Sequence, residues 1–229
     1  MKDKNLDRLV MSSIDDALKS TVIKEAYVAT PKKFNLKTEK LSEKSKKARI
    51  EIFEKTVESL NRISAQLDGA DLESANNSIS SGFRNLKIAE SYAINSSFLQ
   101  AQFLENIDDI NSSISMDNLC YIRLARDFGD FDTWQKNFLA CVKSSRGGYA
   151  VTAYSIYLQR YINFTIDGAE SGVPFSAIPV IVLDVNEGVY TKDYLSDVEA
   201  YAKNMMREFN WQVIEERFKK CEKVAKVFG

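Results

Sequence analysis

The chain contains no histidine among its 229 residues. That removes the side chain best suited to proton transfer near neutral pH, and with it the commonest nitrogen ligand for metals. Its three cysteines (Cys120, Cys141 and Cys221) are odd in number, widely spaced and without a CxxC pair. This excludes a disulfide framework and a zinc-finger pattern, and it points to buried free thiols in a reducing compartment. Only three prolines and nine glycines are present, which argues against a disordered or linker-dominated chain. No apolar run approaches the roughly 20 residues that a membrane span needs. A formal net charge of −1 gives no overall attraction to nucleic acid or to an anionic membrane. What is present suits a packed soluble unit: 45% apolar and 11% aromatic residues for a core, and 28% charged residues for a surface. The first residues include Asp3, Asp7, Asp15 and Asp16, unlike an Arg-rich, acid-poor mitochondrial presequence. A presequence is therefore expected to be absent or already removed.

Periodicity divides the chain into an arm at 1–39, a helical unit at 40–110 and an α/β unit at 111–229. The arm has one short amphipathic stretch at 9–17. Over 41–66 the apolar residues Ile52, Phe53, Thr56, Val57, Leu60 and Ile63 recur at three- and four-residue spacing, predicting a long helix. Asp68-Gly69 ends it, and a second helix is predicted over 72–105 through Ile79, Phe83, Leu86, Ala89, Ala93 and Phe98. A short turn between two long helices implies an antiparallel hairpin. Short helices follow at 118–126 and 133–142, the second with Asp132 as N-cap. Strands are expected at 149–157 and 160–166 around a turn near Leu158-Gln159, and a strand buried on both faces at 179–185. Two helices, 190–209 and 211–227, complete an α+β order: a long antiparallel helical hairpin, then a three-stranded antiparallel sheet flanked by helices.

Pro179–Tyr194, PVIVLDVNEGVYTKDY, carries the strongest signature. It resembles the closing signature of the iron/manganese superoxide dismutases, an apolar strand entering Asp-x-Trp-Glu-His, with Asn186 in place of the Trp and Gly188 in place of the His. Phe128-Gly129-Asp130-Phe131, Gly147-Gly148-Tyr149 and Asn210-Trp211 are similar to further family motifs, in the same order. Val57-Glu58-Ser59-Leu60-Asn61 resembles Tyr-Val-x-x-Leu-Asn, and Asn95-Ser96-Ser97-Phe98 resembles Asn-His-x-x-Phe. The resemblance implies that family's fold over most of residues 40–222.

It also implies a metal centre of three histidines and one aspartate, two ligands from each lobe. By position those ligands become Ala48, Ser96, Asp184 and Gly188, with Thr56 at the place of an active-site tyrosine. Imidazoles supply the neutral donors that hold a redox metal in both oxidation states. One carboxylate and a serine hydroxyl cannot replace them. Asp184 with Glu187, Glu170 and Asp167 would make at most an all-oxygen site. The expectation is a non-catalytic member with no cofactor, in which apolar contacts near Ala48, Ser96 and Gly188 replace the metal between the lobes. Asp184 should survive through a hydrogen bond or ion pair. Glu187, which in the family reaches across a dimer to a partner's histidine, could serve only a heterodimer with another dismutase-like chain. Tyr149, Tyr154, Tyr157, Tyr161 and Trp211 are expected to fill the core.

Lys32–Arg49 carries eight Lys/Arg against Glu39 and Glu43. A solvated face is the simpler reading. The sharper one is a contact with phosphates or an acidic partner through Lys32, Lys33, Lys37, Lys44, Lys46, Lys47 and Arg49, with rRNA contact a minor contribution. Dismutase-like chains without ligands are found in the small subunit of the mitochondrial ribosome. The resemblance therefore implies a mitochondrial structural subunit whose partners are other proteins of a large assembly. An accessory subunit of a respiratory or other membrane complex is the alternative. A new enzyme built on Asp184, Glu187, Tyr149 and Cys141 is the third reading.

Overall fold

Ser42 opens the first long helix, because its hydroxyl accepts the Ser45 N–H at 3.3 Å and satisfies an otherwise orphaned donor. This helix, α1 (Glu43–Asp68), runs antiparallel to α2 (Gly82–Asn106), and the two pack along their length. Then come α3 (Leu119–Phe128), α4 (Phe131–Ser144), β1 (Tyr149–Ser155), β2 (Arg160–Ile166), β3 (Ala177–Asp184), α5 (Glu187–Tyr194), α6 (Val198–Arg207) and α7 (Trp211–Phe228). In this computed structural model residues 28–76, 79, 81–108, 112–169 and 172–228 are described. All these elements belong to the compact unit Pro31–Gly229. The amphipathic stretch at 9–17 and the acidic residues near the start lie outside the described residues.

The sheet has the order β2-β1-β3 and is antiparallel throughout. Tyr149 pairs with both Ile166 and Asp184, and an irregularity at Thr152/Ala153 shifts the β1–β3 register. Helix α2 packs on β3, α4 on β1 and β2, and α7 on β3, α2 and α3. The largest fully buried side chains are Trp134, Tyr161, Tyr201, Phe103, Phe138, Phe209 and Phe218. Tyr161 stacks on Phe218 with ring centroids 4.4 Å apart, and Trp134 donates its indole N–H to Thr152 at 3.0 Å. Gly148 is required by close approach: a Cβ there would lie 1.7 Å from the Ile166 carbonyl oxygen.

The α+β order and the hairpin are as the periodicity predicts, with local corrections. The helix expected over 72–105 begins only at Gly82, capped by Ser81, and Leu72–Asn76 forms a 3₁₀ turn. Ile79 is 85% exposed and Phe98 47%, so neither belongs to the buried face. That face is carried by Ala93, Ser96, Leu99, Gln100, Phe103 and Leu104. The cap of α4 is Asp130 rather than Asp132, since Asp130 accepts the Thr133 N–H. The helix expected over 190–209 is two helices, broken at Leu195, which takes a left-handed φ of 56°, and restarted by Asp197 as N-cap. Tyr149, Tyr154, Tyr161 and Trp211 are buried as expected, but Tyr157 lies in the β1–β2 turn and is 85% exposed.

Candidate functional site

Asp184 ends β3 with 0% exposure, at the layer where the sheet meets the helical hairpin. A carboxylate so placed needs donors and a counter-charge. Both are present. Arg49, one and a half to two turns into α1, places Nη1 3.0 Å from Asp184 Oδ2, and its side chain is only 7% exposed. The second oxygen, Oδ1, accepts the Asn186 main-chain N–H at 3.0 Å and its Nδ2 at 2.7 Å. Tyr201 donates its phenol to the Asp184 carbonyl at 2.8 Å. Burial pushes the Asp184 carboxyl up, and the Arg49 guanidinium and the Asn186 donors pull it back only in part.

Helix α1 is held in register with this site by its first turn. Ser42 donates its N–H to Asp193 Oδ2 at 3.1 Å, tying α1 to α5. Burial raises the Asp193 carboxyl, but hydrogen bonds from Ser45 and Ser42 outweigh it and leave the group below its usual range. Lys46 donates to the Thr38 carbonyl at 3.0 Å and pairs with Glu43.

From α2, Ser96 is buried and accepts Gln100 Nε2 at 3.1 Å. Gln100 Oε1 is buried without a hydrogen-bond partner among the described residues. The Tyr149 phenol is raised by burial and by the Asp184 charge, against hydrogen bonds with Gln100 and Ser96. The site is therefore a polar joint of Arg49, Ser96, Gln100, Tyr149, Asp184 and Asn186.

This corrects the expectation of an apolar replacement between the lobes. Ala48 is half-buried, Gly188 is exposed, and a Cβ at Gly188 would meet nothing within 4 Å. Ser96 and Asp184 both neighbour Tyr149, while Gly188 is turned away to solvent. Glu187 is exposed in the first turn of α5. Asp167 accepts the Arg146 N–H at 2.9 Å, and Glu170 lies outside the described residues. Cys141 is half-buried on α4, and burial raises its thiol.

The basic stretch divides in two. Arg49 and Lys46 are buried and engaged within the chain, and Lys32 pairs with Glu105 at 2.9 Å. Arg49 and Lys46 are therefore not open to a phosphate, while Lys32 keeps 58% of its side chain exposed beside Glu105. Lys33, Lys37, Lys44 and Lys47 are exposed. By sequence Arg49 belongs to a basic face, and no motif assigns a role to Asn186 or Gln100. The available signal was a buried carboxylate in a chain without histidine, which requires a cation from elsewhere in the sequence.

The redox metal that the resemblance implies does not fit this donor set. Its carboxylate is shared between a guanidinium and two amide-type N–H donors, its serine is hydrogen-bonded to Gln100, and no imidazole exists in the chain.

Residues 119–217 match the family described as iron/manganese superoxide dismutases, C-terminal domain. The chain is similar to the iron superoxide dismutase of Cupriavidus metallidurans, with 31% identity over 165 residues, covering 71% of this chain and 80% of that protein. It is also similar to a manganese superoxide dismutase of Halobacterium salinarum, 29% identical over 99 residues, which span 43% of this chain and 49% of the relative. The manganese superoxide dismutase of Mycolicibacterium smegmatis is 29% identical over 92 residues, spanning 40% and 44% of the two chains.

Proposed function

This chain belongs to the iron/manganese superoxide dismutase family, and we propose that it is a non-catalytic member serving as a structural subunit of a large assembly, the small subunit of the mitochondrial ribosome. One observation carries the reading: the surviving ligand carboxylate, Asp184, is bound to Arg49 rather than left open. Dismutation needs a metal that changes oxidation state with a coordination position free for substrate. A joint built from guanidinium, amide and hydroxyl groups supplies neither.

With Asp184 neutralised by Arg49, the surface is left to do the work. The hairpin exposes Ile52, Ile88 and Tyr92 along a groove of about 610 Å³ between α1 and α2. Exposed apolar side chains gathered in this way suit protein–protein contact. Lys33, Lys37, Lys44 and Lys47 add a modest electrostatic contact to rRNA phosphates, and Glu187 stays available to a second dismutase-like chain. Among the described residues no helix is long and apolar enough to cross a membrane.

Native fractionation tests the proposal. The chain is followed by mass spectrometry through a sucrose gradient of lysed mitochondria. Co-migration with small-subunit ribosomal proteins, shifted when magnesium is withdrawn, is the expected result. Migration with a detergent-extracted membrane complex, or as a free enzyme with superoxide-consuming activity, overturns it.

A further inference from the structure

We infer that Arg49 is a cation supplied from within the chain, holding the place at Asp184 that a metal would hold and closing that carboxylate to metals. The inference rests on the reading that the centre carries no redox metal, and it adds a specific residue and a structural role. Arg49 and Asp184 are 135 residues apart in sequence, one on the hairpin and one on the sheet. Their ion pair therefore joins the two layers of the fold.

The geometry suits replacement rather than coexistence. Arg49 Nη1 occupies one carboxylate oxygen, and Asn186 supplies two donors to the other. A carboxylate offers about four acceptor positions, so three are used and the anion is already neutralised. A divalent ion would have to displace a buried guanidinium to bind, leaving that charge unpaired at 7% exposure. Arginine is the appropriate residue, since its guanidinium stays protonated even when desolvated and spreads its charge over a planar fork. Around the pair, Ser96 is held by Gln100, Tyr149 lies beside both, and Gly188 is turned out to solvent. No second carboxylate in these contacts would recruit an ion.

Two measurements on the full chain test this. In the first, wild type is equilibrated with manganese chloride alone, dialysed, and its metal counted by plasma mass spectrometry. Well under one manganese per chain is expected. About one per chain, abolished by Asp184→Asn, overturns both the inference and the metal-free reading of function. In the second, thermal unfolding is compared for wild type, Arg49→Ala, and Arg49→Ala with Asp184→Asn. Arg49→Ala is expected to lower Tm by about 6–15 °C, with at least half of that loss recovered when the stranded carboxylate is also neutralised. If Arg49→Ala alone fails to fold, a folded double variant is the same result. An Arg49→Ala chain within about 2 °C of wild type, or a double variant no better than the single one, overturns the inference and leaves the functional reading standing.

Discussion

Replacing Arg217 by methionine should unfasten the C-terminal helix from the rest of the molecule. The Arg217 side chain, 8% exposed on α7, donates Nη1 to the Asn106 side chain and to the Val180 carbonyl at 3.0 Å. Its Nη2 donates to the Gln102 carbonyl at 3.2 Å and to Glu105 Oε2 at 2.6 Å. One guanidinium thus ties α7 to both α2 and β3. Methionine keeps the volume and removes every donor. Removing one partner of a buried, hydrogen-bonded ion pair costs about 3–5 kcal/mol. The lower end, about 3 kcal/mol, applies here, because Glu105 is partly open to solvent and keeps Lys32 at 2.9 Å. For a chain of this size that corresponds to a fall in Tm of about 6–12 °C.

The same variant carries a pH signature. Burial pushes the Glu105 carboxyl up, but hydrogen bonds and charge from Arg217 and Lys32 outweigh it, so the group lies below its ordinary value of 4.5. A carboxyl depressed in the fold contributes stability that is present above its unfolded value and lost as pH falls through the folded one. Arg217 stays protonated throughout. The gap between wild type and Arg217→Met should therefore be full at pH 7 and narrow as pH falls below the ordinary carboxyl value of 4.5. Urea unfolding followed by the fluorescence of Trp134 and Trp211 measures it at each pH. A loss under about 1 kcal/mol at pH 7, or a gap that does not change with pH, refutes the reasoning.

Three other outcomes follow from local geometry. Tyr161 has a buried hydroxyl with no hydrogen-bond partner among the described residues; Tyr161→Phe should leave stability unchanged or raise it by up to about 1 kcal/mol, and a clear loss in urea unfolding would contradict this. Gly148→Ala forces a methyl against the Ile166 backbone and should cost about 3 kcal/mol or prevent folding, whereas Gly188→Ala enters open space and should cost nothing measurable; similar urea midpoints for the two would be inconsistent with the packing. Cys120 and Cys221 are buried, and burial pushes the Cys221 thiol up to about 12. At pH 8 iodoacetamide should label the half-buried Cys141 first, with Cys221 at least about tenfold slower in the native chain than in urea, as read by peptide mass spectrometry.

Much of this architecture is written locally. The three- and four-residue spacing through Phe53 and Val57 marks the buried face of α1, and both residues are buried. Alternation and β-branching mark the strands, because a pleated, half-covered surface selects those side chains. Failures occur where two local signals compete. Ile79 and Phe98 match the helical period but point to solvent. Asp130 and Asp132 are both competent caps, and only the backbone path decides between them. Leu195 breaks a continuous helical pattern through a left-handed φ that no glycine announces.

The candidate site divides in the same way. Composition alone determined that no imidazole could hold a metal, since a residue type absent from the chain is absent from every fold of it. The strand into Asp184 and its family signature were likewise readable in a row of residues. That Arg49 is the counter-charge of Asp184, and Arg217 the clasp of α7, was decided only by tertiary structure. Each is one of many cations along the chain, and it is selected because a carboxylate or carbonyl contributed by a distant segment loses its water on burial and needs a donor to offset that cost. Sequence spacing carries no record of that partner; packing the hairpin and the C-terminal helix against the sheet creates it.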